Sequence, residues 1–217
     1  MPGFDGTGEL FGPLQNVLGL DAVVVQYRNE RVLDDYIETV AALLPEENAV
    51  LIAESFSGPV ALALTARYPA RIKCVVLCAT FAVSPFRFLT QLSRFVPSIF
   101  FGPNPTQRSM IETFCLGKNA DPMLVSKALS VIRSVPADTI KSRLEVLADV
   151  DIRPLLTRIN TPTLYLQALQ DEVVSPSLSR ELIQGLPNNK LCKIDGPHLL
   201  LQARPNECAD AIKSFID

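Results

Sequence analysis

Five short apolar runs recur along the chain with helical patterns between them: Ala22–Tyr27, Ala49–Glu54, Ile72–Ala79, Pro162–Leu169 and Lys190–Ile194. Their β-branched, nearly continuous apolar character suits strands covered on both faces, which is how a parallel sheet flanked by helices reads. Helices are predicted at Asp34–Leu44, Ser57–Tyr68, Ser177–Leu186 and Glu207–Ile216, several closed by a proline after the last turn. The expected fold class is therefore α/β, a mostly parallel sheet flanked by helices.

The 217 residues suit a single compact domain, because one core can still grow across that length. The alternation of strand and helix fails once. From Phe81 to Val150 helical patterns follow one another without a strand, which predicts a helical lid, residues 81–150, inserted into a core made of residues 1–80 and 151–217. Seven of the eleven phenylalanines fall in this stretch, and they either form the lid's own small core or line an apolar substrate pocket. Phe81, Phe86 and Phe88 are the pocket candidates.

A net charge of -3 provides no basic field that would collect nucleic acid or an anionic membrane, so neither is expected as a partner. Charge is nevertheless uneven: residues 82–150 carry eight Lys or Arg against five Asp or Glu. Solvated helix faces account for such an imbalance, and so does recognition of an anionic substrate or acidic carrier. Five cysteines with no C-x-x-C pair and a single histidine do not make a zinc cage; they read as buried free thiols in a reducing compartment. The N-terminus lacks a basic start and an apolar h-region, and no apolar run is long enough to span a bilayer. A cytoplasmic protein without metal or organic cofactor is expected.

The strongest local signal is Ala49-Val50-Leu51-Ile52-Ala53-Glu54-Ser55-Phe56-Ser57-Gly58, a buried strand running directly into a helix with a serine at the corner. Such a turn holds the serine in a strained conformation and presents its Oγ above the sheet. Strand and helix approach closely there, so the positions two before and two after the serine must be small, and they are Ala53 and Ser57. The strict G-x-S-x-G pattern is not met, and a serine N-cap on the helix is the competing reading. A serine hydroxyl needs a base to become a nucleophile at neutral pH, and the only histidine, His198, lies in the loop after the last predicted strand. The imidazole in turn needs a carboxylate to fix its tautomer. Asp171, directly after the strand Pro162–Leu169, is the best placed, against the reading that it only caps the turn Val173–Pro176. Glu172 and Asp195 are the substitutes. The order Ser55, Asp171, His198 belongs to one triad architecture and to neither the chymotrypsin nor the subtilisin order. Backbone donors for a tetrahedral oxyanion are expected from Phe56 and, in the loop Pro2-Gly3-Phe4-Asp5-Gly6-Thr7-Gly8, from Phe4.

At these residues the chain resembles the α/β-hydrolase family. The Pro2–Gly8 loop looks like its oxyanion loop, Ala53-Glu54-Ser55-Phe56-Ser57-Gly58 like its nucleophile elbow, Thr161-Pro162-Thr163-Leu164 followed by Asp171 like its acid strand, and Gly196-Pro197-His198 like its histidine loop. The likeness is to lidded bacterial carboxylesterases, including those that cleave the methyl ester of pimeloyl carrier protein. It implies a serine esterase acting on a small-molecule acyl ester, free or carrier-bound. Family members carry further strands before the oxyanion loop, and the strand leading into it lies between those matching Ala22–Tyr27 and Ala49–Glu54. A shortened start implies that Ala22–Tyr27 moves next to Ala49–Glu54 or that a partner molecule fills the gap. Either arrangement leaves an open strand edge, so a homodimer is expected, with a mobile oxyanion loop.

Other readings stay open. Gly6-Thr7-Gly8 with Gly12 faintly resembles a dinucleotide loop, but only five residues precede Gly6, too few for the strand that fingerprint follows. A catalytically weak or inactive ligand-binding protein on the same fold is a second. Thioesterase, C–C hydrolase, perhydrolase and acyltransferase chemistries use the same triad, whereas a serine at the elbow argues against the aspartate chemistry of dehalogenases and epoxide hydrolases.

Overall fold

The computed structural model describes residues 1–19, 22–85 and 87–217, and the side chains of all of these except residues 87–89. Four strands, β1 (Ala49–Glu54), β2 (Ile72–Cys78), β3 (Thr163–Ala168) and β4 (Asn189–Ile194), lie side by side in sequence order, and every pair is parallel. The register places Glu54 beside Cys78, Cys78 beside Leu166, and Leu166 beside Cys192. All four strands therefore end along one carboxyl edge, the side of a parallel sheet on which α/β proteins place their ligand sites.

The helices are α1 (Gly12–Leu18), α2 (Leu33–Ala41), α3 (Ser57–Arg67), α4 (Arg87–Leu92), α5 (Gln107–Met110), α6 (Pro122–Ser134), α7 (Ala137–Asp149), α8 (Arg153–Leu156), α9 (Pro176–Gly185), α10 (Leu200–Ala203) and α11 (Pro205–Ile216). Successive strand residues face opposite sides of the sheet. Leu51, Ala53, Val75, Leu77 and Tyr165 pack with residues of α2, α3, α8 and α9, including Ile37, Leu64, Leu156 and Leu182. Val76, Cys78, Leu164, Leu166 and Ile194 pack on the other face with Leu14 and Leu18 of α1 and with Leu201, Cys208 and Ile212 of α10 and α11. Helix α3 is buried from Ser57 to Thr65, which explains why its sequence is apolar all round rather than on one stripe. Pro122, Pro176 and Pro205 open α6, α9 and α11, where a missing N–H costs no intrahelical bond.

The expected strand Ala22–Tyr27 is a correction. Residues 22–27 form no strand among the described residues, although Val25 and Tyr27 are buried in the first core. Beside β1 lies Met1, whose nitrogen donates to the Ile52 carbonyl at 2.8 Å and whose carbonyl accepts from Glu54 N–H at 3.2 Å. Tyr27 N–H donates to the Gly6 carbonyl instead, at 2.8 Å. An alternating burial pattern is local to a segment, whereas a strand also needs a neighbour to receive its N–H and C=O groups. Residues 22–27 have the pattern without the neighbour, so they neither move next to β1 nor join the sheet.

Between β2 and β3 the chain runs through α4–α8. Its two ends meet in an antiparallel bridge between Val83 and Asp151, beside a bond from Ile152 N–H to the Ala82 carbonyl at 2.9 Å. A small aliphatic cluster of Leu116, Val125, Ala128 and Val131 packs here with Leu10. Among the described residues no phenylalanine belongs to this cluster, and Phe95, Phe100 and Phe114 are exposed, at 84%, 71% and 42%. The expectation of five buried thiols is also corrected, since Cys74, Cys78 and Cys208 are buried but Cys115 and Cys192 only half so; all five are free. No helix among the described residues is long and apolar enough to cross a membrane.

Candidate active site

Ser55 sits at the corner between β1 and α3 with φ 46°, in the left-handed region that an L-residue with a side chain rarely adopts. The surroundings hold it there. Ser55 N–H donates to the Cys78 carbonyl at 2.9 Å, and the Ser55 carbonyl accepts from Gly58 N–H at 3.0 Å and from the Thr80 hydroxyl at 2.5 Å. Thr80 is fixed in turn by Tyr165, whose hydroxyl accepts from Thr80 N–H and donates to the Thr80 carbonyl. A Cβ added at Gly58 would lie 2.0 Å from Thr80 Oγ1, so the glycine this corner demands is three residues after the serine. Ala53 and Ser57, small as expected, are completely buried. The Ser57 hydroxyl donates to the Pro2 carbonyl and therefore accepts from the Tyr27 hydroxyl, 2.8 Å away. It does not cap α3.

The only histidine in the sequence enters from the loop after β4. His198 Nε2 is 2.9 Å from Ser55 Oγ, and His198 Nδ1 is 2.9 and 3.0 Å from the two oxygens of Asp171. Asp171 Oδ1 also accepts the N–H groups of Val173 and Val174, both at 2.8 Å, so it caps the following turn and faces the imidazole at once. An ionised carboxylate only accepts, which places the imidazole proton on Nδ1 and leaves Nε2 free to accept from the serine hydroxyl. The three side chains are nearly closed to solvent: Ser55 is 7% exposed and His198 5%, and the Asp171 side chain 6%. Of the substitute acids, Asp195 accepts instead from Gln170 at 2.8 Å, and Glu172 is exposed. Leu199 N–H donates to the Cys115 carbonyl at 2.9 Å, tying the histidine loop to the helical segment after β2.

Phe56 opens α3, and the Phe4 ring packs edge-on against the Phe56 ring at 6.1 Å, bringing the Pro2–Gly8 loop against the corner. The backbone N–H groups of Phe4 and Phe56 have no hydrogen-bond partner among the described residues. The loop is tied at several points: Ser57 to the Pro2 carbonyl, Tyr27 N–H to the Gly6 carbonyl, and Arg143 of α7 to the carbonyls of Phe4 and Asp5.

Residues 25–201 match the family described as alpha/beta hydrolase fold. The chain belongs to the α/β-hydrolase fold family. Over 194 residues, covering 81% of this chain and 77% of the relative, it is 26% identical to a pimeloyl-[acyl-carrier protein] methyl ester esterase of Aromatoleum aromaticum. An esterase from Exiguobacterium antarcticum superposes with a TM-score of 0.87 at 13% identity, covering 100% of this chain and 90% of that one. The enol-lactonase of Burkholderia xenovorans superposes with a TM-score of 0.81 at 17% identity, covering 98% and 88%.

Within this α/β-hydrolase, two further residues belong to the site, Glu54 and Arg143. Glu54, the residue before Ser55, is buried, and its Oε2 accepts from Gln202 at 3.2 Å while its Oε1 has no partner. Burial lifts its carboxyl to about 7, against the opposing attraction of His198. Its signal was a lone charge closing an otherwise apolar strand. Arg143 had a signal too: it stands between Ile140 and Val146 on the buried stripe of α7, where an apolar residue is the ordinary choice. Of the pocket candidates, Phe81 is buried in the same core as Phe56, while Phe86 and the side chain of Phe88 lie outside the described residues. Among the described residues no three His, Cys, Asp or Glu side chains converge as a metal site.

Proposed function

We propose that this α/β-hydrolase is a serine hydrolase that cleaves carboxylic esters through an acyl-serine intermediate. The observation that carries the reading is the line Ser55 Oγ, His198 Nε2, His198 Nδ1, Asp171, with 2.9 Å from serine to imidazole and 2.9 Å from imidazole to carboxylate. Ser55 Oγ attacks the ester carbonyl while its proton passes to His198 Nε2, and Asp171 stabilises the imidazolium that forms. The negative charge moves to the carbonyl oxygen, where the free N–H groups of Phe4 and Phe56 are the donors for it. Collapse of the tetrahedral adduct breaks the ester C–O bond, and His198 returns its proton to the departing alcohol. A water, deprotonated by the same nitrogen, then attacks the acyl-serine carbonyl, and the second adduct collapses by breaking the acyl–Oγ bond as His198 returns the proton to Ser55, releasing the acid.

The esterase of Aromatoleum aromaticum supports an acyl methyl ester as the substrate, carried on an acyl carrier protein or free. Phe81, Phe86 and Phe88 are proposed to line the acyl pocket. Ser55→Ala and His198→Ala are each expected to lower kcat for a p-nitrophenyl ester on the order of 10⁴- to 10⁶-fold, and the double variant to lose no more than the worse single one, because the two act as a unit. Wild-type turnover by Ser55→Ala sinks the assignment.

A further inference from the structure

Arg143 breaks the pattern of its own helix. It is 2% exposed between the buried Ile140 and Val146, in a place where a leucine or methionine would fill the space without bringing a charge inside. Its Nη1 donates to the carbonyls of Phe4, at 2.9 Å, and Asp5; its Nη2 donates to the Tyr27 carbonyl at 3.1 Å; its Nε has no partner. The groups that receive it are main-chain carbonyls of two segments more than a hundred residues away in sequence, with the Tyr36 hydroxyl also facing it. A buried polar side chain in an apolar stripe marks a position where the fold alone did not choose the residue.

The loop is shaped around this guanidinium. Gly6 has φ 69°, and a Cβ there would lie 2.2 to 2.7 Å from Arg143 Nη2, Cζ and Nη1, so conformation and space both demand glycine. Gly6 N–H closes the turn onto the Gly3 carbonyl at 3.1 Å. The Phe4 N–H therefore lies between two anchors: the Pro2 carbonyl, held by Ser57 of α3, and the Phe4 carbonyl, held by Arg143 of α7. The first anchor moves with the serine corner. The second comes from the helical segment between β2 and β3, so Arg143 ties the loop to that segment.

We propose that Arg143 is a positioning residue that orients the Phe4 N–H toward the developing oxyanion, an inference that rests on the Ser55–His198 reading above. It touches no reacting atom and acts through the loop. A misplaced oxyanion donor lowers kcat far more than it changes substrate binding, because the charge it meets exists only in the transition state.

The test compares wild type, Arg143→Met and Arg143→Lys on p-nitrophenyl butyrate, with active sites counted by fluorophosphonate titration and phenylboronic acid as a tetrahedral-adduct probe. Arg143→Met is expected to lose on the order of 10- to 100-fold in kcat per titrated site with KM within about twofold, and to lose phenylboronate affinity in parallel. Arg143→Lys, which keeps the charge and one reach toward a carbonyl, is expected to fall in between. Where Arg143→Met does not fold, the lysine variant decides by the same two readouts. Unchanged kcat per titrated site, or a loss explained wholly by fewer titratable sites, overturns the proposal and leaves the Ser55 reading standing if Ser55→Ala is inactive in the same assay. An active Ser55→Ala overturns both.

Discussion

Replacing Glu54 by glutamine tests whether the carboxyl before Ser55 is ionised at a cost in free energy. Glu54 is 1% exposed, and its carboxylate has one hydrogen bond, from Gln202, and leaves one oxygen unpartnered. Burial raises its carboxyl from 4.5 to about 7; the nearby His198 and the Gln202 bond oppose the rise, and Asp5 adds to it. A folded-state value above the unfolded one means that the native protein holds the proton more tightly. The resulting stabilisation is complete below about pH 4.5 and is lost as pH rises through about 7. At about 1.4 kcal/mol for each pH unit of that difference, the loss is about 3 kcal/mol. Glutamine has nearly the same shape and no charge, so its stability should lack this decline. Urea unfolding of both proteins at intervals from about pH 4.5 to about pH 8 measures the effect. Relative to wild type, Glu54→Gln should be about 3 kcal/mol more stable at the alkaline end than at the acid end, whatever their offset at low pH. A difference that stays constant across that range would show that Glu54 titrates alike in the folded and unfolded chains, and the argument from burial would be wrong.

Two further outcomes follow from other parts of the molecule. Gly58→Ala forces a methyl to within 2.0 Å of Thr80 Oγ1, the atom that holds the Ser55 carbonyl, so about 1–3 kcal/mol of stability and most esterase activity should be lost; thermal unfolding that matches wild type would refute the close approach. The outer edge of β1 is met among the described residues only by Met1, and β4 forms the opposite edge of the sheet, so we expect a homodimer in solution; a monomeric mass by light scattering at working concentration would count against it.

Much of the serine corner was legible because its constraints are local. A strand that turns at once into a helix needs small residues at fixed offsets, and Ala53, Ser57 and Gly58 satisfy it within six residues of chain. Asp171 and His198 were legible for a related reason: each follows a strand, and parallel strands in register deliver the loops after them to one edge. Residues 22–27 read as a strand because apolar, β-branched composition is a property of the segment itself, while strand pairing depends on what lies beside it; only Val25 and Tyr27 of the run are buried. Composition states how much aromatic surface the segment after β2 holds but not which side faces water, so the exposure of Phe95, Phe100 and Phe114 and the burial of Phe81 belong to the tertiary structure.

The α/β class, the strained corner at Ser55 and the order of the three residues that meet there are all written in the chain's local chemistry, since they follow from backbone sterics and short-range periodicity. How the Pro2–Gly8 loop is held and what surrounds the carboxyl behind the serine depend instead on contacts made across the folded chain. Arg143 reaches Asp5 across 138 residues, and Gln202 reaches Glu54 across 148. No local pattern encodes such pairs, because their free energy depends on water being excluded from a space that exists only once the chain has closed around it.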